Sequence, residues 1–134
     1  MNRTLPTSGI NDRVTALLGI DGFQLAFDVQ EAAEVYGTAR ADAERAEHER
    51  KIVLAEVKED IRESRARAGD KTTESMLDNL GRASRRYKEA IDHLHTLRQH
   101  ETQTEAAYYA LRNVQEHLNK LNDFARSEMY LERG

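Results

Sequence analysis

The sequence predicts an all-α protein: a long antiparallel helical hairpin with a short N-terminal helix and a short helix at the turn, oligomerising through coiled-coil-like packing. Two observations carry this. Apolar and small residues at Leu25, Val29, Ala32, Tyr36, Ala39, Ala43 and Ala46 recur in steps of three and four along one helical stripe. The stripe returns at Ala83, Tyr87, Ala90, Leu94 and Leu97, at Thr104, Tyr108 and Leu111, and at Val114, Leu118 and Leu121, with Ala68-Gly69-Asp70 between the two series.

Each element follows from local chemistry. Residues 1–9, with Pro6, Ser8 and Gly9, hold little that packs and read as a flexible N-terminal tail. The rest, 10–134, reads as a single helical hairpin domain. Ile10, Val14, Leu17 and Leu18 have helical spacing and predict a short helix ending at Gly19. Asp21 stands where an N-cap belongs, ahead of the dense apolar group Phe23, Leu25, Phe27 and Val29. That group is wider than a coiled-coil stripe needs. It suits either packing against neighbouring subunits or an intramolecular helical cap.

The first long helix then thins to alanine and one tyrosine as far as Ala46. The charged run Glu44 to Lys51 reads as a solvated face with i,i+4 pairs such as Glu47 with Lys51. Val53 or Leu54, Val57 and Ile61 resume the stripe, and Gly69 is placed to end the helix, with Arg65 and Arg67 at the negative end of its dipole. Thr72 or Thr73 is positioned to cap a short helix holding Met76, Leu77 and Leu80, which Gly81 separates from the last helix. In that helix Glu101 and Thr104 occupy stripe positions, where polar residues fix register at a cost in stability.

Composition narrows the function classes. The chain has 134 residues, no cysteine, one proline, 33% charged residues and a mean hydropathy of −0.78. The absence of cysteine excludes disulfides, thiol catalysis and cysteine-ligated zinc, and fits the cytoplasm. No apolar run approaches the roughly 20 residues of a membrane span, so no membrane partner is expected. A hairpin so poor in large apolar residues buries little, which predicts a homo-oligomer.

The net charge of −4 is unevenly spread. From Arg62 to Lys88 there are eight Lys and Arg against four Asp and Glu, while the segments on either side are net acidic. The hairpin is thus expected to carry a basic tip on acidic arms.

Candidate chemistry is sparse. No two of the five histidines stand at i,i+4, so no metal site is expected, and no carboxylate pair sits in an apolar pocket. Ala68-Gly69-Asp70-Lys71-Thr72 grazes only the end of a phosphate-binding loop pattern and lacks its first glycine. Neither catalysis nor a cofactor is expected. The basic residues Lys58, Arg62, Arg65, Arg67, Lys71, Arg82, Arg85 and Arg86 remain, with Lys88 beside them. Either they track a phosphate backbone, or they are solvating charges matched by Glu59, Glu63, Asp70 and Asp78.

The Ala-rich first arm with Tyr36, the helix end Val57-Lys58-Glu59-Asp60-Ile61-Arg62, the Gly/Lys/Thr turn, and a last helix ending Leu118-x-x-Leu121-x-x-x-x-Arg126-x-Glu128 together resemble the UvsY-type phage recombination mediators. The likeness spans about Phe23 to Tyr130. It implies a non-enzymatic protein that forms ring-like oligomers, binds single-stranded DNA and helps load a phage recombinase onto strands covered by single-strand binding protein, in the host cytoplasm. The family's DNA-binding Lys-x-Arg segment falls on Lys58, Glu59 and Asp60, with Arg62, Arg65 and Arg67 one turn later. Oligomerisation would then use Phe23, Phe27, Tyr108, Leu111, Leu118 and Leu121. A helical protein-interaction module, such as an adaptor or a phage-encoded inhibitor of a host system, is the alternative of a different class.

Overall fold

The structure is a computed structural model that describes residue 19 and residues 21–133, with side chains as far as Glu128. The tail and short helix expected before Gly19 lie outside the described residues. Three helices follow one another: α1, Gly22–Arg67; α2, Glu74–Ala83; and α3, Arg85–Arg133. Among the described residues there is no strand, and a long helix packs against another. The chain divides into two compact units, Val35–Thr104 and the chain on either side of it.

The two ends of α1 form where the side chains predict them. Asp21 caps α1, its Oδ1 accepting from the backbone N–H groups of Phe23 at 2.9 Å and Gln24 at 3.3 Å. At the other end Gly69 has φ 77°, a left-handed conformation that glycine adopts without a Cβ clash. The N–H of Gly69 returns to the Ala66 carbonyl and that of Asp70 to the Arg65 carbonyl, at 3.0 and 2.9 Å, so that carbonyls left open at the helix end are satisfied.

Thr73, rather than Thr72, caps α2: its side chain accepts from the Met76 N–H at 3.2 Å. Thr72 instead accepts from Arg65 Nε at 3.0 Å, which ties the turn to the end of α1. The break before the last helix differs from expectation. Gly81 lies inside α2 and is buried, whereas the chain becomes extended at Ser84. Ser84 ends one helix and begins the next: its Oγ donates to the Gly81 carbonyl at 2.7 Å and accepts from the Tyr87 N–H at 3.2 Å. A hydroxyl that serves both ends makes so short a break possible.

Within the unit Val35–Thr104 the core is thin. Ala39, Ala43, Ala46 and Val57 of α1, Leu77 and Gly81 of α2, and Tyr87, Leu94 and Thr104 of α3 are its buried residues. Alanines give little apolar area each, so Leu77, 1% exposed, is the largest fully buried side chain. Thr104 keeps its hydroxyl satisfied inside its own helix, donating to the His100 and Glu101 carbonyls at 3.0 and 2.9 Å. Ion pairs link the helices: Arg86 reaches Glu56, and Arg98 Nη2 lies 3.8 Å from Glu47.

In the second unit α1 and α3 meet through Leu25 and Leu118, both buried, and through Gly22, whose Cβ position is 4.0 Å from Leu118 Cδ2. Val29, Ala32, Tyr108, Leu111, Val114 and Leu121 are half-buried on the same stripe. The three- and four-residue steps therefore mark the inward side of both helices.

Candidate nucleic-acid interface and association surface

The basic residues gather at the turn end of the unit Val35–Thr104, but several are engaged with carboxylates. Lys58 is the clearest case. Its aliphatic stem lies over Gly81, so closely that a Cβ there would stand 3.1 Å from Lys58 Cγ and 3.0 Å from Leu54 Cδ1. Its ammonium then reaches Asp78 Oδ1 at 2.6 Å and Glu74 Oε2 at 3.4 Å. The hydrogen bond to Asp78 raises the Lys58 pKa above its ordinary value, and the same bond lowers that of Asp78.

Arg62 divides its guanidinium between Glu59 Oε2, 2.6 Å, and Glu74 Oε1, 2.7 Å. Glu74 thus bridges two of the expected phosphate contacts from the first turn of α2. Arg65 is held by Thr72, Arg85 by Glu89 at 3.0 Å, and Arg86 by Glu56. Arg82 lies over the Tyr87 ring, 6.0 Å from its centroid. Arg67, Lys71 and Lys88 are exposed and have no carboxylate partner among the described residues. The structure gathers the predicted cations at one end and pairs four of the eight, Lys58, Arg62, Arg85 and Arg86, with carboxylates.

A second polar cluster crosses from α1 to α3. Arg50 Nη1 donates to the Tyr87 hydroxyl at 3.3 Å, and its Nη2 donates to Glu47, which lowers the Glu47 pKa. Sequence spacing paired Glu47 with Lys51, but Arg50 and Arg98 are its partners here. Arg50 Nε is buried without a hydrogen-bond partner. The cluster is spent on register between helices; it is not aimed at solvent.

The expected oligomerisation residues separate into two sets. Leu118 is buried, and Tyr108, Leu111 and Leu121 are half-buried, all in the chain's own helix pair. Phe23 and Phe27 are exposed, at 93% and 70%. Each stands two residues from buried Leu25, hence roughly 200° around the axis, on the opposite side of α1. On α3, Phe124 is 63% and Tyr109 47% exposed. Phe124 lies six residues past Leu118, roughly 120° around the axis, and Tyr109 nine residues before it, about half a turn away. Phe124 follows Leu121 by three residues, the spacing of the inward stripe, yet it is exposed. The step of six from Leu118 was the available signal.

Among the described residues no group of three His, Asp or Glu is placed to hold a metal ion, and no helix is long and apolar enough to cross a membrane. Among the described residues one open depression lies along α3 beside His95, Arg98 and Thr102, and another beside Asp42, Glu49 and His93. No protein-family model, curated protein or solved structure matches the chain.

Proposed function

We propose that the chain is a non-enzymatic helical interaction module, an antiparallel hairpin that works by associating with copies of itself. The observation that carries this is the exposure of Phe23, Phe27 and Phe124 on sides of their helices turned away from the buried leucines. Aromatic side chains are costly to leave in water and supply most of the energy of protein contacts. The hairpin sense is supported by the partners across the long helices: Glu47 with Arg98, Arg50 with Tyr87 and Glu56 with Arg86, one number falling as the other rises. Light scattering behind a sizing column tests the reading. The wild-type chain is expected above monomer mass, and a Phe23→Asp/Phe27→Asp/Phe124→Asp variant at monomer mass; a monomeric wild type at tens of micromolar would refute self-association.

A second reading is a single-stranded DNA-binding recombination mediator that helps load a phage recombinase. It is favoured by Arg67, Lys71 and Lys88, exposed cations of the basic stretch without carboxylate partners among the described residues. Anisotropy of a labelled single-stranded oligonucleotide at two salt concentrations tests it. Binding that weakens with salt and is lost in Arg67→Ala/Lys71→Ala supports a phosphate contact, and no binding at low salt removes it.

A further inference from the structure

Among the described residues two outward faces of the same unit are left without a cover, and only one of them carries a cation. On α1, Phe23 and Phe27 are followed on the same side by Glu31 and Glu34, both exposed and without an ion pair among the described residues. Between residues 21 and 34 there are four Asp and Glu and no Lys or Arg. On α3, the face bearing Tyr109 and Phe124 carries Lys120 four residues before Phe124 and Glu128 four residues after it, both exposed; Lys120 has no carboxylate partner among the described residues, and Glu116 is taken by Arg112 at 3.7 Å.

One chain has no way to join its own two faces, because each is turned away from the leucines through which α1 and α3 meet. A second copy has that freedom. Phe27 and Glu31 are four residues apart, as are Lys120 and Phe124, so each pair spans about 6 Å of helix. Laid antiparallel, α1 of one copy and α3 of another set Phe27 on Phe124 and Glu31 on Lys120 at once. Pairing α1 with α1 would instead gather carboxylates with no cation among them.

We propose that copies associate head to tail, the Phe23–Phe27–Glu31 face of one chain seating on the Tyr109–Lys120–Phe124 face of the next. This rests on the self-association reading above and names the partner surface. Each chain offers one face of each kind, so assembly continues past the dimer.

The test is complementation between two full-length variants, one with Phe23→Asp/Phe27→Asp and one with Tyr109→Asp/Phe124→Asp. Circular dichroism first establishes that both keep wild-type helix content; Ser replaces Asp in any pair that does not. By sedimentation velocity each variant alone is expected to be monomeric, their equimolar mixture a one-to-one dimer, and the wild type larger than a dimer. A variant that dimerises by itself would show like faces pairing, which overturns head-to-tail contact while self-association stands. A mixture that remains monomeric overturns it as well. A monomeric wild type removes both readings, and if Phe23→Asp/Phe27→Asp then also lowers the melting temperature, the α1 face belongs to the chain's own first 18 residues.

Discussion

The turn end of the unit Val35–Thr104 and the aromatic faces of the other unit are the two surfaces where sequence suggests function, and they have opposite balances. At the turn, charges that look available are consumed by packing: Lys58 lies along Gly81 and reaches Asp78 and Glu74, and Arg62 is shared by Glu59 and Glu74. At the aromatic faces, phenylalanines that look like core are left in water. A cation is functional surface only when its neighbours leave it unpaired. An apolar residue is core only when its angle on the helix matches the buried stripe.

The largest effect is expected inside the turn-end unit. Leu77 is the side chain that seats α2, and Leu77→Ala should cost about 2–5 kcal/mol of local stability, read as lost hydrogen-exchange protection across residues 74–83. Unchanged protection would mean that α2 is held by its ion pairs and not by burial. Phe23→Asp/Phe27→Asp should give the contrasting result: no loss in melting temperature at low protein concentration, where burial predicts none, together with loss of assembly.

Charge neutralisation sharpens the comparison next. In Glu74→Gln/Asp78→Asn, Lys58 loses both of its carboxylates and Arg62 loses one of two. If the turn end meets single-stranded DNA, the variant should bind more tightly, and its log–log salt dependence should steepen by about 1.4 for two added phosphate contacts. An unchanged slope would show that these cations stay out of reach even when released.

pH offers a smaller effect with a defined sign. Asp78 is held below its ordinary 3.8 by Lys58, so its contribution is present above that value and is lost as pH falls through the lowered one. Lys58 is held above its ordinary 10.5 by Asp78, so its contribution is present below that value and is lost as pH rises through the raised one. Melting temperature should therefore be flat between about pH 5 and 10 with respect to this pair and fall at either extreme. Asp78→Asn should remove this pair's share of the acid limb.

Much of the fold was legible in the sequence because periodicity and capping are local. The stripe from Leu25 to Ala46, the Asp21 cap and the Gly69 terminator depend on residues within a turn or two of each other. The break at Ser84 was not legible. Gly81 is the stronger breaker by propensity, yet a tertiary contact explains it: Leu54 and Lys58 approach too closely for a larger side chain. The site was legible only as composition. The clustering of cations could be counted, but their neutralisation by Glu74 and Asp78, 16 and 20 residues beyond Lys58, depends on how α2 lies against α1.

Hydrogen exchange of the full chain at low and high protein concentration tests the central contrast most directly, since both regions are read in one experiment. Protection should rise with concentration at residues 22–30 and 105–128 and stay constant at 54–82. A rise confined to 54–82, or no dependence on concentration anywhere, would contradict the assignment of the aromatic faces as the association surface.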